Sequence, residues 1–165
     1  MNRFASGNPL AVLQGVYAFF VGAPFLYLYG LTFLDNTDGS GPDWFPIVVG
    51  AVGVWALAVI LWVRRRPLDT TSLKALVASY RGMFYLGIGV AEVPVLVGFA
   101  GFFLTGELWA YLLGMTLGLL ALVLVAPTRA DIERRQQQIA AQGSSLSLLE
   151  ALMAPPSRDQ RDEAS

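Results

Sequence analysis

Four apolar runs, each long enough to cross a lipid bilayer, constrain this chain more than any other feature: Leu10 to Leu34, Trp44 to Val63, Met83 to Leu104 and Leu108 to Ala126. A span needs about 20 mostly apolar residues. In hydrocarbon every backbone N–H and C=O must be bonded within its own segment, so such runs fold as helices. The expected fold is an all-α integral membrane four-helix bundle. Charged residues make up 14% of the chain, well under the roughly 25% of a soluble domain.

The punctuation between the runs agrees. Asn8-Pro9 is a helix start, with Asn as cap and Pro in the first turn. Pro24 falls inside the first run and should kink it. Residues 35–43, DNTDGSGPD, form an acidic turn; the spacing does not fit a calcium loop. Asp43 can cap the second run, and Trp44 and Trp62 stand near its ends as an aromatic belt requires. Trp55, at mid-span, is expected to pack in the core. Arg64-Arg65-Arg66-Pro67 ends this run. Residues 70–81 carry Leu73, Leu76, Val77 and Tyr80 at helical spacing. They predict a short interfacial helix between spans 2 and 3, capped by Thr70, Thr71 or Ser72 and lying along the membrane surface.

Thr105-Gly106-Glu107 separates the third and fourth runs, with Trp109 and Tyr111 at the start of the fourth and Pro127 closing it. Beyond residue 127 the chain turns polar. Thr128 and Asp131 form a capping-box pattern ahead of a helix over about 129–142, in which only Ile132 and Ile139 are large and apolar. After Gly143 comes LSLLEALM, with Leu146, Leu149 and Met153 on one face and Leu148 and Leu152 beside it. It should bury against the membrane, the bundle or a partner. The organisation read from this is a four-span membrane domain over 1–127, a helical cytoplasmic tail over 128–154, and a disordered end over 155–165.

All eleven Lys and Arg lie at the N-terminus, in the 64–81 loop or in the tail, while the 35–43 and 105–107 turns hold only acids. Four spans put the three basic segments on one side. By the positive-inside rule that side is the cytoplasm, with both termini inside. The first run is too long for a signal-peptide h-region and reads as a retained span. Arginine outnumbers lysine ten to one, the usage of a GC-rich bacterial genome, so the expected location is a bacterial cytoplasmic membrane.

Within this apolar frame one side chain is out of place. Glu92 sits near the middle of the third run, two residues before Pro94. A carboxylate at the bilayer centre costs about 2.5–3.5 kcal/mol on insertion scales and marks a functional site by default. Three roles compete: a neutral acid hydrogen-bonded within the bundle, an ion-coupling group, and a docking residue for a partner subunit. Pro94 cannot donate to Val90, so the Val90 carbonyl is a spare acceptor. Thr116, Gln14 and the span tyrosines lie at compatible depths. The polar intramembrane site read from the sequence is therefore Glu92, Pro94 and Thr116. Gly114 and Gly118 form a small-xxx-small pair, and a turn centred on Gly106 sets Gly98 opposite Gly114.

The segment YRGMFYLGIGVAEVPVLVGFAGFFL, residues 80–104, resembles the carboxylate-bearing helix of rotary ATP synthase c subunits. The resemblance implies that Glu92 matches their ion-binding acid. It is confined to this helix, because c subunits have two spans and a long glycine repeat. More broadly, residues 76–152 resemble a group of small four-span bacterial membrane proteins without an assigned activity. The shared pattern is a Tyr-Arg lead, Ala-Glu-x-Pro, Ala-Pro-Thr-Arg and Ser-Leu-Leu-x-Ala-Leu. This supports the architecture and implies no reaction.

The chain has no histidine and no cysteine. That excludes imidazole bases, thiol nucleophiles and thiolate zinc sites. No enzyme, cofactor, metal or nucleic-acid partner is expected. The partners expected are membrane lipids and a membrane protein or second copy of the chain. The function expected is that of an accessory or assembly subunit of a membrane complex, with a proton- or cation-coupled conductor acting through Glu92 as the alternative.

Overall fold

The computed structural model describes residues 9–34, 41–42, 44–141, 143–144, 146–148 and 152. Asn8, the 35–40 stretch, Asp43, Leu149, Met153 and the 155–165 end lie outside the described residues, so the expectations placed on them stand as they were. Five helices follow one another: α1 Pro9–Leu31, α2 Phe45–Arg65, α3 Leu73–Thr105, α4 Leu108–Val125 and α5 Arg129–Ala141. The first four are long and apolar enough to cross a membrane. No strand occurs among the described residues.

The ends of these helices follow the sequence signals. Pro46 lies in the first turn of α2, with Trp44 in the cap position. Ser72 caps α3, its hydroxyl accepting the Ala75 amide at 3.1 Å. The α3–α4 turn uses Gly106 at φ 72°, whose amide bonds the Phe102 carbonyl at 2.8 Å. That left-handed conformation suits glycine because no Cβ meets the carbonyl. Thr128 caps α5 through the Asp131 amide at 3.2 Å, and Gly143 at φ 79° ends it.

One element differs from the expectation. Residues 73–81 do not form a separate helix; they are the first turns of α3, which is 33 residues long. At 1.5 Å per residue it spans about 50 Å, against a hydrocarbon thickness of about 30 Å. Residues 73–81 read as amphipathic because this end, with Lys74 and Arg81, continues the helix past the apolar part. A period of 3.6 cannot distinguish a new helix from the extension of the next one.

By compactness the chain divides into two units. One gathers residues 1–17, 67–81 and 127–165; the other holds 18–66 and 82–126. The tail expected to begin at 128 thus belongs to a body that also takes in the N-terminal and 67–81 segments.

In the second unit, α3 and α4 form an antiparallel hairpin and α2 packs on α4. Leu31, Val95, Phe102 and Tyr111 form one buried cluster, and Phe45, Val49 and Ala110 another. Buried residues make up 56% of the best α3 window but only 17% of that of α1, so α3 is central and α1 peripheral. Phe19, Leu26, Tyr29, Phe33, Ile47 and Val123 are all strongly exposed, as lipid-facing side chains must be. Trp55, expected in the core, is 52% exposed. A tryptophan facing hydrocarbon loses little, so apolar character alone does not report on burial in a span. Trp62 keeps its boundary position, with the Arg66 guanidinium 3.7 Å over its ring.

In the first unit the buried side chains include Leu13, Leu68, Leu76, Tyr80, Ile132, Ile139, Leu148 and Leu152. The buried face of the 146–152 segment thus includes Leu148 and Leu152, whereas Leu146 is only half-buried. Gln136 ties that segment to α5: its Nε2 donates to the Leu146 carbonyl at 2.9 Å and its Oε1 accepts the Leu148 amide at 2.8 Å.

Candidate functional site: an intramembrane carboxyl beside a glycine seam

Glu92 is 7% exposed, and its Oε1 has no hydrogen-bond partner among the described residues. It lies on the most buried stretch of α3, next to Ala91 and three residues before Val95, both fully enclosed. Continuous α-helix runs through Pro94.

The glycine seam beside it is a close backbone contact. A Cβ built on Gly98 would stand 2.8 Å from the Ala110 carbonyl oxygen and 3.1 Å from the Gly114 Cα. One on Gly114 would run into the Pro94 carbonyl, and one on Gly118 would meet Val95 and come within 2.9 Å of the Ala91 carbonyl. The expected pairing of Gly98 with Gly114 is therefore present. Gly118 extends it one turn, to the stretch that carries Glu92. Two glycines four apart in α4 let α3 approach to backbone contact, the geometry that membrane helices use where apolar burial cannot hold them together.

Thr116 takes no part in this. It is exposed, and its hydroxyl donates to the Leu112 carbonyl of its own helix at 2.8 Å. Threonine one turn above a free lone pair satisfies itself, which depth matching cannot reveal. The Pro94 carbonyl lies against Gly114. Gln14 is exposed and belongs to the other unit.

Tyr111, placed by the sequence at the start of the fourth run, lies in the first turns of α4 and is fully buried, and its hydroxyl donates to the Pro24 carbonyl of α1. Its ring stands 6.1 Å from that of Phe99. The signal was present: residues 111, 114 and 118 share one helical face. Trp109 keeps the boundary role, 42% exposed with its indole N–H donating to the Glu107 carboxylate.

The first unit holds a second buried polar group. Arg135 is 5% exposed; its Nε lies 3.2 Å from Asp131, and its guanidinium carbon 5.7 Å from the Tyr80 ring centroid. Arg135 falls between Ile132 and Ile139 on the same helical face, which identifies it in retrospect. No group of three His, Asp or Glu residues able to hold a metal occurs among the described residues.

These features define a class: a multi-pass all-α membrane protein with an acid enclosed in its bundle. No protein-family model matches the chain, and no curated protein or solved structure matches it either.

Proposed function

We propose that this is a non-catalytic protein of a bacterial cytoplasmic membrane, with both termini in the cytoplasm, acting as an accessory or assembly subunit of a membrane complex. The observation that carries the reading is the compact unit formed by the N-terminal segment, residues 67–81 and the tail. These are basic segments that the positive-inside rule assigns to one side. A topology signal needs charge but no folded body. A body drawn from three distant segments, with Lys74, Arg81 and Arg134 exposed on it, has the make-up of a docking platform.

The contact surface follows from what is enclosed. Glu92 is buried within its own bundle, and Leu148 and Leu152 are fully covered, so neither is offered to a partner. The exposed cations Lys74 and Arg81 are. Purification of the full chain in mild detergent, followed by mass spectrometry, should return a stoichiometric membrane-protein partner. Lys74→Glu with Arg81→Glu should release it. A clean monomer, or a partner indifferent to these charges, removes the proposal.

One observation favours the alternative of proton or cation coupling through Glu92: its Oε1 lacks a partner. A buried polar atom left unsatisfied is rare and calls for an explanation. Purified protein in liposomes should then carry a proton or Na⁺ flux that Glu92→Gln abolishes. Absent or unchanged flux ends this reading.

A further inference from the structure

A cavity of about 720 Å³ opens in the first unit, lined by Leu10, Gln14, Pro127, Thr128, Arg129, Ile132 and Glu133. Its volume falls within the roughly 300–1,000 Å³ of small-ligand sites. Leu10 is the first residue of the first candidate span, and Pro127 stands two residues beyond the last residue of the fourth. The cavity therefore lies where spans leave the hydrocarbon, at head-group depth. This uses the membrane reading of the chain and is independent of the accessory-subunit role.

The lining combines two chemistries. Leu10, Pro127 and Ile132 are apolar. Arg129 and Glu133 carry opposite charges one helical turn apart, with the amide of Gln14 and the hydroxyl of Thr128 beside them. Within α5 the pairing is taken up elsewhere: Arg134 and Arg135 both engage Asp131, at 2.7 and 3.2 Å. Arg129 and Glu133 make no ion pair among the described residues, and both are exposed. A single anion would meet the Glu133 carboxylate, and a single cation would meet Arg129. A ligand with a phosphate and a primary ammonium satisfies both, and the apolar wall suits the glycerol and acyl carbons that continue from such a group.

We propose that this cavity binds the head group of an aminophospholipid, with Arg129 and Gln14 on the phosphate and Glu133 on the ammonium. The three N–H donors of the ammonium can bond the carboxylate, whereas the trimethylated amine of a choline lipid cannot.

The test is native mass spectrometry of the full chain in detergent, titrated with phosphatidylethanolamine, phosphatidylcholine and phosphatidylglycerol of identical acyl chains. Phosphatidylethanolamine adducts should exceed the other two several-fold. Glu133→Gln should erase the difference between ethanolamine and choline lipids. Arg129→Gln should lower both, while Arg134→Gln, outside the cavity, should change neither. Both cavity positions are exposed, so circular dichroism of the variants should match the parent. If a variant fails that check, the comparison of the three lipids on the unaltered chain decides alone. Equal adducts, preference for phosphatidylglycerol, or an ethanolamine preference that survives in Glu133→Gln overturns the proposal. Displacement of the lipid by soluble phosphoethanolamine would show a water-soluble ligand and overturn the lipid assignment.

Discussion

The two units of this molecule are held together by opposite means. In the unit of 18–66 and 82–126, many large side chains face outward around buried clusters such as Leu31, Val95, Phe102 and Tyr111, and Gly98, Gly114 and Gly118 bring α4 to backbone contact with α3. In the unit of 1–17, 67–81 and 127–165, leucines and isoleucines are enclosed, and polar side chains such as Gln136 and Arg135 fasten the rest. The difference follows from the solvent. Lipid tails are as apolar as leucine, so burying leucine between spans gains little and proximity must come from smallness. Where polar segments such as α5 join the fold, the usual drive to enclose apolar area operates.

The strongest way to break this comparison is to put bulk into the seam. Gly114→Leu meets the Pro94 carbonyl, which is backbone and cannot move aside. It should destabilise the bundle by about 3 kcal/mol or more, read by denaturant titration in bicelles. Gly22 has nothing within 4 Å, so Gly22→Ala should be neutral or stabilise by up to about 1 kcal/mol. Equal effects at both positions would mean that the seam is not what holds the hairpin.

The matching test in the other unit removes bulk. Leu148→Ala should cost about 2–3 kcal/mol, seen as faster proteolysis of the tail with the spans unaffected. Next come the polar ties. Gln136→Ala leaves the Leu146 carbonyl and the Leu148 amide without their side-chain partner. It should loosen that segment by about 1–2 kcal/mol, read by hydrogen exchange at Leu148. Tyr111→Phe removes one interhelical hydrogen bond and should cost about 1 kcal/mol. A larger loss for Tyr111 than for Gln136 would reverse the contrast in where polar ties matter most.

The smallest effect is a pH dependence at the start of α3. The Thr71 amide, and then its hydroxyl, hold the exposed Asp69 carboxyl below its usual range. A depressed carboxyl contributes its stability in full above the unfolded value of about 3.9. That contribution is lost as pH falls further, through the folded value. The Thr71 amide resonance should therefore keep its shift through mild acid and move only below about pH 4; in Asp69→Asn it should not titrate.

How much of this was legible in the sequence depends on which solvent a residue meets. Span number, the turn at Gly106, the caps at Ser72 and Thr128 and the facing of Gly98 with Gly114 follow from local chemistry that lipid does not blur. Trp55 faces outward and Tyr111 inward because aromatic residues in a span can face lipid or core, and composition does not say which. Thr116 was drawn into the site by depth alone, while its own helix offered a nearer acceptor. Arg135 escaped notice because a cation on an apolar helical face reads as a break in the pattern. The acid Glu92 stood out because nothing else in the third run is charged at neutral pH; its lack of a partner for Oε1 required coordinates.

A body drawn from three separate segments has a further consequence for how the chain is made. Its third segment follows the fourth candidate span in the chain, so the body cannot close until that span has been made. Until then Leu13 and Leu76, both buried in this unit, lack the part of it contributed by α5 and the segment after it. A chain stalled or cut short after the fourth span would keep its topology yet display those side chains to the cell's quality-control proteases. Closure of this small body is thus a late step, and a chain cut after Val125 should turn over faster than one that continues through Leu152.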